Sequence, residues 1–273
     1  MTTKKPDHKP EGKSSSQIDQ DKNSLDKDKY YRMIEQPEML DYGVYLQCDK
    51  LLDCQKRIKD LATADELQFQ IVHQAEELWM KLICFTLVDI LDYMQQQKHH
   101  RVITLFSRVH KLQRLMVDQL DILETMSPKE YQQIRLQLGN GSGQESPGFI
   151  TLLKMPADIW SSFKTHYLDN GNISLTQVYD TEYQHDHTYA VAEALTEFDE
   201  QLQLFRWRHL FLIHRSIGLG SASLKGRPVE LLQKGAAKRF FPDLWEIRNT
   251  MTDKWGGEYG KVRDSITPKQ KAK

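Results

Sequence analysis

Apolar residues recur at the three- and four-residue spacing of an α-helix over long stretches of this 273-residue chain. Residues 65–97, 100–124 and 188–217 each show this period, and no segment alternates polar and apolar residues as a half-buried strand would. Helices of this length bury their apolar faces against one another. The pattern therefore predicts an all-α fold, built as a single-domain long helical bundle.

Shorter signals mark where helices begin and end. In "SPKEYQQIRLQLG", Ser127 is a predicted N-cap, Pro128 lies in the first turn and Glu130 completes a capping box. Gly139 is predicted to end that helix. The sequence further predicts Gly/Ser loops at 139–148 and 218–226, short helices within 151–187, and a last helical stretch at about 228–249 that is broken near Pro242.

Composition limits the domain boundaries and the partners. Residues 1–28 are charged and poor in aliphatic side chains, which predicts a disordered N-terminal tail, a folded domain at 29–253 and a flexible tail at 254–273. A formal net charge of -1 points to neither nucleic acid nor an anionic membrane as a partner. No apolar run approaches the roughly 20 residues of a membrane-spanning helix. Three cysteines without a CxxC pair favour reduced thiols and a cytoplasmic protein.

Two pairs of side chains share a helix face at four-residue spacing. The first pair is Phe69 and His73, in "FQIVHQAEELW", where aliphatic residues would serve a buried face equally well. His73 is therefore either a core histidine with a hydrogen-bond partner or a residue that faces a binding cavity. The second pair is Tyr131 and Arg135, and a guanidinium is suited to bind a carboxylate through two parallel hydrogen bonds. The alternative for Arg135 is a surface ion pair.

Histidines elsewhere in the chain give weaker signals. His209 lies between Phe205 and Ile213 on an apolar helical stripe, which suits an axial ligand of haem iron and suits a satisfied core histidine equally well. His185 and His187 could chelate zinc, but no third ligand is evident near them in the sequence. The adjoining His99 and His100 are predicted to be solvated in a turn.

Several segments, taken in order, resemble the signature blocks of the tryptophan 2,3-dioxygenase family, within the haem-dependent aromatic oxygenases. They are "YGVYLQCDKLLDCQ", "DELQFQIVHQAEELWMKL", "LETMSPKEYQQIRLQLGNGSG", "FRWRHLFLIHRSIG" and "RFFPDLWEIR", and they span most of residues 41–250. The resemblance implies an all-α oxidoreductase that binds haem b, works with ferrous iron, and assembles as a homotetramer or homodimer. It implies the conversion of L-tryptophan and O₂ to N-formylkynurenine, the entry to the kynurenine pathway of tryptophan catabolism.

The resemblance also implies roles for particular residues. His209 matches the proximal histidine that binds the haem iron, and His73 matches the catalytic distal histidine that contacts the indole N–H. Phe69 and Tyr131 match walls of the substrate pocket, and Arg135 matches the residue that binds the substrate carboxylate. The remaining matches to substrate-binding residues are Tyr42, Tyr45 and Leu46, in a segment that reaches a neighbouring subunit's site, and Ser223.

Two departures from the family pattern concern the substrate. A Gly-Thr-Gly-Gly-type segment is expected after the helix of His209, and "GLGSASLKGR" stands there instead. Ser223 offers a hydroxyl to the substrate ammonium, but Lys225 would disfavour that cation. The segment between Arg135 and His209 is also shorter than is usual in that family. Two alternatives therefore stay open: a related haem oxygenase that acts on another indole or a tyrosine-like aromatic, and a non-catalytic helical scaffold.

Overall fold

The computed structural model describes residues 26–256, except 140, 183, 221, 223–225 and 227–229, and also describes Ile266. These residues form helices joined by loops, and among them a single bridge residue, Ala222, is the only extended element. The all-α prediction is confirmed. The chain divides into two compact units, residues 1–61 and 62–273.

The N-terminal unit consists of short helices. Its elements are α1 (Lys27–Glu35), α2 (Asp41–Tyr45), α3 (Cys48–Leu51) and a 3₁₀ turn (Ile58–Asp60). Asp26 caps α1, and the Ile58 N–H donates to the Glu35 carboxylate at 2.8 Å. None of the described residues of this unit is buried, so the unit has no hydrophobic core of its own.

The second unit is organised around three long helices, α4 (Asp65–Gln95), α5 (His99–Leu123) and α10 (His187–Ile217). Helix α5 packs between α4 and α10, and buried side chains of all three form one continuous core. Shorter elements surround them: α6 (Pro128–Arg135), α7 (Pro147–Leu152), α8 (Met155–Phe163) with a following π-helical turn (Lys164–Asp169), α9 (Leu175–Tyr179), α11 (Glu230–Ala237) and α12 (Pro242–Gly256).

The predicted start of α6 is confirmed, and its predicted end is not. Ser127 and Glu130 form the capping box. The helix stops at Arg135, because the next turns close through shorter bonds, from Gln137 N to the Ile134 carbonyl and from Leu138 N to the Arg135 carbonyl. Gly139 follows with φ +56°, in the turn after the helix.

Helix α4 presents apolar side chains on two faces. Its core face carries Met80, Ile83, Leu87 and Ile90, which are at most 3% exposed. The periodic residues Ile71, Leu78, Leu82 and Phe85 lie instead on an outer face and are exposed, as is Val88. A helix that is apolar all round is normally covered on all sides. No described helix is both long and apolar enough to cross a membrane.

Asp199 joins α10 to the start of α12. Its carboxylate is fully buried, and Oδ2 accepts hydrogen bonds from Phe240 N (3.0 Å), Phe241 N (3.2 Å) and Trp245 Nε1 (3.0 Å). The other oxygen accepts from Gln203 Nε2 at 3.0 Å. A buried carboxylate thus attaches the residues that lead into α12, and Trp245 within it, to α10.

Candidate functional site

A cavity of about 50 Å³ lies between α4, α6, α10 and the end of α5. Four residues singled out in the sequence meet there, although they come from three separate helices: Phe69, His73, Tyr131 and His209. The remaining lining side chains are mainly apolar: Leu123, Met126, Leu212, Ile213 and Ser216. Two imidazoles therefore share one small, largely apolar chamber.

The environment of His73 fixes its tautomer. Its Nδ1 lies 2.7 Å from the Phe69 carbonyl oxygen, which can only accept, so Nδ1 carries the proton. The Phe69 and His73 rings are in contact, with centroids 4.1 Å apart. Burial lowers the pKa of His73, opposed by the Phe69 carbonyl and by Glu77. A neutral ring with a protonated Nδ1 leaves Nε2 as a hydrogen-bond acceptor.

His209 is held in its neutral form. Burial, and secondly the nearby His73, lower its pKa to about 4. Its ring stacks near Phe205, with centroids 6.3 Å apart and planes within 11°. A Cβ on Gly143 would lie 3.8 Å from Cε1 and 3.9 Å from Nε2 of His209, so this edge of the ring faces a backbone without a side chain. The neutral imidazole of His209 therefore keeps one unprotonated ring nitrogen that can bind a metal ion.

Tyr131 lines the cavity, whereas Arg135, one turn further along α6, is not among the lining residues. The Tyr131 ring is 6.3 Å from that of Phe69, and burial raises the Tyr131 pKa, with Arg135 opposing the change. Arg135 donates Nη2–H to the Ala222 carbonyl at 2.8 Å. No carboxylate lies within ion-pair distance of Arg135 in the part of the chain that the structure describes. The surface ion-pair alternative is thus not supported, and the guanidinium retains unused donors.

The donor set of the chamber fits a haem rather than a bare metal ion. No three His, Cys, Asp or Glu side chains among the described residues are arranged to hold a metal ion directly. An iron bound by His209 would need its other ligands from a porphyrin, and the neutral imidazole with apolar walls suits that arrangement. Ligand pockets are typically about 300–1,000 Å³. The cavity, at about 50 Å³, is much smaller than this. The lining side chains would therefore have to separate to admit a haem between His209 and His73.

Other predicted site residues are not brought to this cavity. Tyr42, Tyr45 and Leu46 lie in the N-terminal unit and are 75%, 84% and 44% exposed. Ser223 lies outside the described residues. The sequence reading also missed several lining residues. Ser216 could have been predicted from the sequence, because it lies seven residues after His209 and so on the same helix face. No sequence pattern indicates that Leu123 and Met126 line the cavity or that Gly143 lies beside His209.

The fold and the chamber define an all-α protein in which two neutral imidazoles share one cavity with the rings of Phe69 and Tyr131. Comparison with known proteins shows which family the chain resembles. The family model described as "Tryptophan 2,3-dioxygenase" matches residues 28–155, which contain Phe69, His73, Tyr131 and Arg135. Over that region the chain is similar to the tryptophan 2,3-dioxygenase family.

Whole-length relatives extend the match beyond that region. The chain is 28% identical over 260 residues to "Tryptophan 2,3-dioxygenase" of Myxococcus xanthus (strain DK1622), with 77% of this chain and 89% of that protein covered. It is 29% identical over 265 residues to the protein of that name from Bacillus cereus (strain ATCC 10987 / NRS 248), covering 78% and 94%. The protein of that name from Serratia proteamaculans (strain 568) is 28% identical over 258 residues, covering 77% and 92%.

Proposed function

We propose that this chain is a haem-dependent tryptophan 2,3-dioxygenase of tryptophan catabolism. It would insert both atoms of O₂ across the indole C2–C3 bond of L-tryptophan and release N-formylkynurenine. The observation that carries the proposal is the single chamber in which His73 and His209 meet among Phe69 and Tyr131. The names of the relatives supply the substrate, and the chamber supplies groups that suit it.

His209 is the residue that would hold haem b, because its neutral imidazole is available to bind the iron. When bound, ferrous haem would supply O₂ binding and activation. The apolar side chains around the ring keep water away from the reacting atoms and favour an indole. Gly143 leaves room beside His209 that any side chain would reduce.

Substrate orientation would come from both sides of the chamber. His73 Nε2 can accept the indole N–H, because Nδ1 is committed to the Phe69 carbonyl. Arg135 can bind the substrate carboxylate with the guanidinium donors that Ala222 does not use. Ser223 would contact the ammonium group. Positioning of this kind would place the indole C2–C3 bond beside O₂. Such proximity would supply a large part of the rate enhancement.

A direct assay tests the proposal. Reduced, haem-loaded protein with L-tryptophan and O₂ is expected to form N-formylkynurenine, followed by its absorbance and by mass. Replacing Arg135 with Gln should raise KM for L-tryptophan more than tenfold, because the carboxylate loses its charged partner. Lys129→Gln, at an exposed position of the same helix, is the matched control. Absence of product from fully haem-loaded protein would refute the proposal.

A second candidate function is oxygenation of a different aromatic by the same haem site. The observation that favours it is the segment that follows α10, where "GLGSASLKGR" departs from the expected glycine-rich pattern and where the Ala222 carbonyl occupies Arg135. Soret-band shifts measured across substituted indoles and tyrosine derivatives distinguish the two candidates. A response to L-tryptophan alone rejects this second function.

The chain would act as a homotetramer or a homodimer in the cytoplasm. The N-terminal unit buries none of its described side chains, and the outer face of α4 is apolar and exposed in the single chain. A contiguous exposed apolar patch marks an interaction site, so both surfaces would be buried against other subunits. Tyr42, Tyr45 and Leu46 would contribute to the substrate pocket of a neighbouring subunit.

The assembly is tested by placing a charge on the outer face of α4. Phe85→Glu is expected to lower the molecular mass in solution by at least half at micromolar concentration, because a buried carboxylate at an interface is costly. Light scattering coupled to gel filtration measures the mass. Gln95→Glu, exposed at the end of the same helix, should leave it unchanged. A wild-type monomer, or a Phe85→Glu protein of wild-type mass, would exclude this face from the interface.

A further inference from the structure

Three histidines from two distant segments of the sequence meet at one point of the fold. His99 and His100 begin α5, and His187 begins α10. The His187 ring stacks on His99 with centroids 4.9 Å apart, and it lies edge-on to His100 at 4.8 Å. This cluster is separate from the chamber, which contains none of the three residues. The expectation that His99 and His100 are simply solvated is wrong for His99, which is partly buried.

The surroundings of the three rings contain little negative charge. Tyr167, from the π-helical turn after α8, hydrogen-bonds to His99 Nδ1 at 3.2 Å. The nearest carboxylate is Asp186, whose side chain caps α10 by accepting from Tyr189 N. The neighbouring cations, Lys98 and Arg101, lie over the Tyr93 ring, and His185 stacks on Tyr189.

We propose that the stacking of His187 on His99, with His100 at its edge, is a pH-sensitive clasp that fastens the start of α10 to the start of α5 while the His99 ring is neutral and releases it when that ring becomes protonated. The two helices present the positive ends of their dipoles to the cluster, where a cation is disfavoured. The nearby rings of His187, centred 4.9 Å from His99, and His100 further oppose a charge on His99, and Asp186 offsets this only in part. The described residues offer no metal-binding group here that would hold the rings together instead.

The direction of the pH effect follows from His99. Burial, then His187 and His100, lower its pKa, and Asp186 opposes them. A histidine whose pKa is lower in the folded protein stabilises the fold fully above its ordinary value, near 6.5, and loses that contribution as the pH falls below it. The clasp should therefore be closed at pH 7.5 and should open as the pH falls from about 6.5 toward 5.5.

Hydrogen exchange of the full chain, read by mass spectrometry, tests the clasp. Peptides that cover residues 99–106 and 187–194 are expected to lose at least tenfold in protection between pH 7.5 and 5.5, after correction for intrinsic exchange rates. Peptides from the middle of α5 should change less. All samples contain EDTA, so that a trapped metal ion cannot produce the effect.

Variants separate the clasp from general acid sensitivity. His187→Gln should exchange faster at pH 7.5 and show little further change at pH 5.5, whereas His185→Gln, two residues away, should keep the wild-type pH dependence. His100→Gln, at an exposed position, is the second test variant if His187→Gln does not fold. Protection that is independent of pH in the wild type, or a His187→Gln protein with the wild-type pH dependence, would overturn the proposal.

Discussion

Replacing His209 with alanine is expected to give a folded, colourless protein that no longer retains haem and forms no product. The reason is that His209 is the only imidazole of α10 that lines the chamber, and no other group of three metal-ligating side chains among the described residues could hold the iron. Loss of the imidazole that would hold the iron should weaken haem binding at least 100-fold. Titration of haem into the apoprotein, followed at the Soret band, measures the affinity.

Two controls show whether the effect comes from ligation. His214→Ala removes a histidine five residues further along α10, outside the chamber lining, and should leave haem affinity within about twofold of wild type. In His209→Gly, added imidazole should restore the Soret band, because a free imidazole can occupy the vacated position. Wild-type haem affinity in His209→Ala would show that another group binds the iron, and the proposed role of His209 would be wrong.

The helical framework could be predicted because its signals are local. Periodicity placed α4, α5 and α10 within two residues of their observed ends, and the Ser127 capping box placed the start of α6. The two chamber histidines were open to prediction for the same reason, since each lies on a stripe that faces the bundle interior. Spacing alone did not indicate their function, because a core histidine with a hydrogen-bond partner occurs at the same helical positions.

Features that depend on contacts between distant segments could not be predicted in this way. The periodic residues of α4 include Leu78 and Phe85, which are exposed, because a helix that is apolar all round gives no indication of which face meets the core. The histidine clasp joins residues 99 and 187, and neither local sequence contains the other half. The hydrogen bond of Arg135 could not be predicted for the same reason, since its acceptor is the Ala222 carbonyl, 87 positions away.

Asp199→Ala should destabilise the fold strongly, although Asp199 is far from any proposed chemistry. The change leaves three donors without their acceptor: Phe241 N, which is buried, and Phe240 N and Trp245 Nε1, which are partly buried. At about 1–3 kcal/mol for each unsatisfied buried group, the free energy of unfolding should fall by at least about 3 kcal/mol. For a domain of this size that corresponds to a decrease in Tm of roughly 6–12 °C.

The carboxylate geometry gives a graded test of this explanation. Asp199→Asn keeps one acceptor oxygen and has nearly the same shape, so its cost should lie between those of wild type and Asp199→Ala. Glu200→Gln changes the exposed neighbour and should stay within about 0.5 kcal/mol of wild type. Urea unfolding of the apoproteins, followed by circular dichroism, compares all three. An Asp199→Ala protein within 1 kcal/mol of wild type would mean that water replaces the carboxylate, and that α12 does not depend on this buried charge for its attachment to α10.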